Sequence, residues 1–244
     1  MPRTNTSKPG STEVWWVDTR TAGASLDQFA QETGVLSAQD IEGRSDESRR
    51  ARIILRFALS RYGDKDLVLC PIEAAAAGRP FLLDPDGPSF SISHSGDHIA
   101  VAIAADGPVG IDIERIRQIK MSTKRQLQIA NQARAHGIDA AIDAEAAADG
   151  DEFLSLWTKL EALGKARGDG IGAVLTELKT QHNEATANLF SKVGSATIQV
   201  RSLLLTTELA GALVTADSKG THDVYEVPND LSVLLAQFET NCSH

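Results

Sequence analysis

Cysteine is nearly absent: only Cys70 and Cys242 occur in 244 residues. They lie far apart and in no metal-like spacing, which excludes a disulfide framework and leaves a buried small hydrophobe and a loose thiol near the end of the chain. No apolar run approaches the roughly 18 residues that cross a bilayer. Met1-Pro2-Arg3-Thr4-Asn5 lacks the apolar stretch of a signal peptide, so the expectation is a cytoplasmic protein with no membrane attachment. Positive charge is also short, 24 Lys and Arg against 33 Asp and Glu for a net charge of −9. That argues against nucleic acid as a partner, which needs basic surface. An anionic ligand would have to be held by a local cluster of Arg, Lys or His. What is present is ordinary for a globular chain, 42% hydrophobic and 23% charged, with enough apolar content for a sizeable core. The length suits one large domain or two halves of about 120 residues.

Residues 1–12 read as a polar, disordered lead-in. Val14-Trp15-Trp16-Val17 reads as a strand, Ser25–Thr33 as a helix stopped at Gly34, and Ser37-Ala38-Gln39-Asp40 as a capped helix start. Ser45–Tyr62 is a stronger helix, with Ile53, Ile54, Phe57 and Ala58 at helical spacing and Gly63 as its stop. Its opposite face carries Arg49, Arg50, Arg52, Arg56 and Arg61, with Arg44 just before. Such a face is ordinarily solvated; against that, an acidic protein here spends six arginines within 18 residues. Gly78-Arg79-Pro80 turns into a short extended piece. Ser89–His94 alternates, Phe90 and Ile92 facing one way, Ser91, Ser93 and the strand end near His94 the other; it forms a hairpin with Ile99–Ala105. Ser122–His136 reads as a helix with Lys120, Lys124, Arg125 and Arg134 exposed, followed by an acidic, Ala-rich stretch, Asp139–Ala148. Glu152–Arg167 is a helix with an apolar stripe of Phe153, Leu156, Leu160 and Leu163. Ala173–Lys179, Ala187–Ser191, Ala196–Leu205, Leu209–Ala216 and Val224–Val227 read as strands of a mostly antiparallel sheet, closed by a helix over Leu231–Phe238. The likeness of His98–Ala105 to Leu209–Ala216 fits two similar, pseudo-duplicated α+β halves, 13–108 and 109–244.

The chemistry centres on Gly110-Ile111-Asp112-Ile113-Glu114. A strand puts Ile111 and Ile113 on one buried face and Asp112 and Glu114 on the other, roughly 7 Å apart. Neighbouring carboxylates suit a hard cation such as Mg²⁺, which takes one or two carboxylates with waters and phosphate oxygens; they also suit a solvent-facing sheet surface. On the later helix Trp157, Glu161 and Lys165 form one row at i, i+4 and i+8, which by itself is an ordinary helix pair. His94 between serines is by itself a turn histidine.

Taken together, Ser93-His94-Ser95-Gly96, then Gly110-Ile111-Asp112-Ile113-Glu114, then Trp157, Glu161-Ala162 and Lys165 with Gly168-Asp169-Gly170, resemble the Sfp-type 4′-phosphopantetheinyl transferases over roughly residues 44–170. The resemblance implies two α+β halves with the active site between them and a monomeric enzyme. It also implies a reaction in which coenzyme A supplies its 4′-phosphopantetheine arm to a serine of an acyl or peptidyl carrier protein, releasing 3′,5′-ADP. By the family's motifs Asp112, Glu114 and Glu161 hold Mg²⁺, and His94 and Arg44 contact the 3′-phosphate of coenzyme A. Arg79 lies near the adenine and its phosphate, Ser93 contacts the nucleotide, and Lys165 meets the pyrophosphate. Phosphoryl-type transfer needs positioning and charge neutralisation more than covalent work, and either Glu161 or a water takes the serine proton. Two features depart from the pattern. Leu160 stands where most relatives carry a lysine, and Lys159 is displaced about 100° around the helix; the aromatic-rich segment usual after the acidic strand is missing. The first departure leaves open a relative that binds coenzyme A or a carrier without turnover. An acidic carrier would find local positive charge in Arg115, Arg117, Lys120, Lys124 and Arg125, near residues 116–135.

Overall fold

Side chains able to cap a helix decide where this chain turns from strand to helix. The computed structural model describes residues 12–62, 65–76, 78–138, 151–180, 190–216 and 222–242. The lead-in expected at 1–12, apart from Thr12, which is buried in the first strand instead, the helix stop at Gly63, the acidic stretch 139–148 and most of the strand expected at 187–191 lie outside the described residues. The chain divides into two units, Met1–Gly107 with Thr221–His244, and Pro108–Gly220. Each has the α+β character expected, helices packed on a mostly antiparallel four-stranded sheet.

The first unit opens with β1 (Thr12–Asp18), whose last residue caps α1 (Thr19–Thr33) by accepting from the Arg20 N–H. Gly34, at φ 63°, ends that helix in the left-handed region. The helix starts earlier than the expected Ser25 and runs through Gly23, where the bare glycine accommodates the Arg50 guanidinium, 3.0 Å from the position a Cβ would take. Ser37 and Asp40 form the expected reciprocal cap on α2 (Ala38–Ile41), and Ser45 caps α3 (Asp46–Leu59). Then come α4 (Lys65–Val68), the small hairpin of β2 (Ile72–Ala74) and β3 (Pro80–Leu82), and the hairpin of β4 (Ser89–Ser95) and β5 (His98–Ala104).

The arginines of α3 are not a solvated face. Arg56 and Arg52 are 1% and 6% exposed, and both bind Asp40, each at 3.0 Å. Arg56 also donates to the carbonyls of Val68 and Cys70. Arg50 pairs with Asp27 at 2.8 Å, and Arg61 pairs with Glu13 at 3.3 Å while lying over the Trp15 and Tyr225 rings. Most of the basic cluster is therefore spent holding α1, α2, α3 and β1 together, because a buried guanidinium needs a carboxylate partner.

The second unit begins with β6 (Val109–Arg115), followed by α5 (Thr123–Ala135), α6 (Asp151–Arg167) and α7 (Gly170–Glu177). The strand expected at Ala173–Lys179 is thus a helix: Val174 and Leu178, four residues apart, are the buried pair, and their i, i+4 spacing is the helical one. Arg167 braces the corner by pairing with Asp169 and Glu177. β7 (Lys192–Val193), β8 (Ala196–Ser202) and β9 (Leu209–Ala216) complete a sheet of order β6-β9-β8-β7. The expected stripe of α6 is its core face, with Phe153, Leu156, Leu160 and Leu163 all fully buried; each contributes about 2 kcal/mol of gross burial.

The chain then returns to the first unit, which corrects the expected 109–244 half. β10 (His222–Glu226) pairs in parallel with β1, giving the order β10-β1-β5-β4, and α8 (Leu231–Cys242) seats Phe238 edge-on to Phe29, 5.2 Å between ring centroids. Among the described residues no helix is long and apolar enough to cross a membrane.

Candidate functional site

The candidate residues fall in two sets, one in each unit. In the second unit the alternation of β6 puts Gly110, Asp112 and Glu114 on one face, opposite Val214, Ala212 and Ala210 of β9. Ile111 and Ile113 occupy the other face and are buried, as expected. The acidic face is not a solvated sheet surface, for α6 lies on it. A Cβ on Gly110 would stand 2.0 Å from the Ala162 carbonyl oxygen and 2.7 Å from the Ala166 nitrogen. Helix and strand backbones touch there, and Asp112 is left 6% exposed.

That contact carries the Glu161–Lys165 row over the acids. Lys165 Nζ donates to Asp112 Oδ1 at 2.7 Å. Glu161 is half-buried; burial first, then the Asp112 charge and, more weakly, Glu114 push its carboxyl above the ordinary range, while Lys165 pulls it down. Both strand acids act on the helix acid, so the three carboxyls share one electrostatic neighbourhood. Glu114 is also 3.3 Å from Arg117. Among the described residues no group of three or more His, Cys, Asp or Glu side chains is gathered as a ready metal cage. The chemistry of the donor set fits a hard divalent cation nonetheless: carboxylate oxygens only, offered from a strand and a helix beside a lysine.

In the first unit, Arg44 is exposed, donates to the Gln39 carbonyl at 3.2 Å, and immediately precedes the Ser45 cap of α3. His94 is exposed on β4 and acts electrostatically on Glu47 in the first turn of α3. By strand alternation His94 shares the face of Phe90 and Ile92, not that of Ser93 as expected from the sequence. Ser93 is buried at 5% exposure on the opposite face. Arg79, just before β3, is half-buried, and burial lowers its guanidinium pKa. The structure thus brings His94 to the start of α3, next to Arg44 in sequence, and sets Ser93 on the other side of the sheet.

Two features escaped the sequence. The Lys165–Asp112 pair spans 53 residues and has no local signal. Gly110 stood in the motif, but its reason, a helix backbone against its Cα, exists only in three dimensions.

Residues 108–214 match the family model described as the 4′-phosphopantetheinyl transferase superfamily. The segment includes every candidate residue of the second unit. The chain is similar to the 4′-phosphopantetheinyl transferase psf-1 of Bacillus pumilus, 31% identical over 62% of this chain and 66% of that protein. It is similar to AcpT of Salmonella typhimurium, 38% identical over 48% and 56% of the two chains, and to AcpT of Escherichia coli K12, 33% identical over 41% and 49%. The chain spans about half to two thirds of the length of the curated relatives it matches. The likeness these comparisons find is to the 4′-phosphopantetheinyl transferases, the family that the motifs resemble.

Proposed function

We propose that this protein transfers the 4′-phosphopantetheine arm of coenzyme A to a serine of an apo carrier protein and releases 3′,5′-ADP. The observation that carries the reading is the meeting, inside the family-matched segment, of Asp112, Glu161 and Lys165 from a strand and a distant helix.

In this reading Arg44 and His94 bind the 3′-phosphate of coenzyme A, while Arg79 and Ser93 contact the nucleotide. Asp112, Glu114 and Glu161 would hold Mg²⁺, and the ion would supply charge neutralisation at the pyrophosphate. Lys165 adds its own charge to the departing 3′,5′-ADP, moving from Asp112 toward the pyrophosphate. The serine oxygen bonds to the phosphorus bearing the pantetheine arm as the bond to 3′,5′-ADP breaks. Glu161 or a water beside it accepts the serine proton. The carrier docks on the loop after β6 and the start of α5, where Arg115, Arg117, Lys120 and Lys124 are exposed around a 44% exposed Ile116. The protein works as a cytoplasmic monomer in this reading.

The test is incubation with coenzyme A, Mg²⁺ and a panel of apo carrier proteins, followed by intact mass. The expected result is a gain of one phosphopantetheine arm on at least one carrier; no gain on any carrier, with the protein folded, refutes the reading. A second reading, coenzyme A or carrier binding without turnover, draws on Leu160 at the family's lysine position. Tight binding in that same experiment without mass gain would select it.

A further inference from the structure

We infer that Gly110 is a positioning residue for Lys165, and that the absence of a side chain there sets the distance between α6 and the acidic strand. The inference rests on the transferase reading for its catalytic consequence, but not for its geometry.

The strand–helix contact is built from small groups. Gly110 and, diagonal to it across the β6–β9 pair, Ala212 lie on the face that Ala162 and Ala166 cover, and all four are buried. On α6, Ala162 and Ala166 form one row and Glu161 and Lys165 the row beside it. Seating the alanine row against Gly110 therefore fixes how far the Glu161–Lys165 row stands from Asp112. A Cβ on Gly110 would lie 2.0 Å from the Ala162 carbonyl oxygen. That neighbour is backbone and cannot rotate away, so the helix must retreat by about 1 Å to reach the closest contact real side chains tolerate. The 2.7 Å hydrogen bond from Lys165 to Asp112 does not survive such a displacement. Misplacing a reacting group by that distance costs about 100-fold in rate.

Gly211 provides the control. It pairs with Ile113, so it lies on the opposite face of the same sheet, and a Cβ there would meet the Leu203 carbonyl at 2.8 Å. Gly211→Ala should strain the fold without moving α6.

The experiment compares wild type, Gly110→Ala and Gly211→Ala by urea unfolding, by the rate of Lys165 acetylation with acetic anhydride read by peptide mass spectrometry, and by kcat and KM for transfer. Gly110→Ala is expected to raise Lys165 acetylation several-fold and lower kcat about 100-fold, with KM for coenzyme A changed far less. Gly211→Ala is expected to lose stability while leaving Lys165 acetylation at the wild-type rate. A folded Gly110→Ala protein with wild-type Lys165 reactivity overturns the inference, as does an equal rise in the Gly211→Ala protein. If Gly110→Ala does not fold, the wild-type chain decides: Lys165 must react more slowly in the folded than in the urea-unfolded protein, and Asp112→Asn must abolish that protection. A Lys165 as reactive folded as unfolded overturns it. Should wild type transfer nothing to any carrier, the functional reading fails while the acetylation comparison still judges Gly110.

Discussion

Replacing Leu160 by lysine, the residue that the motif resemblance implies at this place, is expected to unfold the second unit rather than improve a site. Leu160 is fully buried in the α6 core face with Phe153, Leu156 and Leu163, in the cluster that includes Ile198, Ala212 and Val214 of the sheet. Glu161 and Lys165 sit on the neighbouring row, so an ammonium at position 160 starts out pointing into the core. A fully buried lysine is held neutral by desolvation. Deprotonating a lysine of ordinary pKa costs about 4.6 kcal/mol at pH 7, before any lost leucine packing. Typical stabilities are about 5–15 kcal/mol, so Leu160→Lys should leave the protein marginal at neutral pH. The sign of its pH dependence is opposite to that of a salt bridge. The folded-state pKa is lowered, so the penalty is largest at low pH and shrinks as pH rises toward about 10.4, leaving about 1.2 kcal/mol at pH 9.5. Urea unfolding followed by circular dichroism at pH 7 and 9.5, with Leu160→Met as a volume-matched control expected to cost under about 1.5 kcal/mol, measures this. Refutation would be a Leu160→Lys midpoint equal to wild type at pH 7, or a loss that does not change with pH. Either result means the ammonium reaches water and the leucine is not a core residue.

Three further outcomes follow from the geometry. Asp40→Asn strips the shared carboxylate from buried Arg52 and Arg56 and should cost about 3–5 kcal/mol at pH 7. Burial raises the Asp40 carboxyl, but the Arg56 charge and the hydrogen bonds from Ser37 and Arg56 together outweigh it, leaving a net lowering; its contribution is present above the ordinary value of 3.8 and lost as pH falls through the lower folded value. The difference between wild type and Asp40→Asn in thermal unfolding should therefore close below about pH 3.8, and a gap independent of pH would contradict the pairing. His94→Ala should weaken coenzyme A about 10- to 100-fold, the worth of one charge-assisted hydrogen bond. It should leave 3′-dephospho-coenzyme A unaffected in the same calorimetric titration; equal losses for both ligands would detach His94 from the 3′-phosphate. Reversing Lys124 and Arg125 to Glu should raise KM for the carrier, more so at low ionic strength, while coenzyme A affinity stays constant. Parallel changes in both would remove α5 from the docking surface.

Helix caps and periodicity work over four or five residues. That is why Ser37 with Asp40, the Ser122 start of α5 and the apolar stripe of α6 were legible without a structure. The α7 segment misled because its β-branched run reads as strand until α6 provides a surface for Val174 and Leu178 at helical spacing. β10 was assigned to the wrong half for a related reason. Its parallel partner β1 lies at the other end of the chain, and nothing local to Val224–Val227 names that partner. The α3 arginines read as a face and prove to be internal ties, since a guanidinium's surroundings depend on where Asp40, Asp27 and Glu13 arrive.

The residue types at the candidate site were determined by the sequence alone: alternating acids on a strand, and Glu161 and Lys165 one turn apart on a helix. Their meeting was decided by tertiary structure, because side chains 53 residues apart interact only once α6 is laid on β6. How closely it lies is a matter of backbone against backbone at Gly110, a contact between atoms that every residue possesses and no residue pattern spells out.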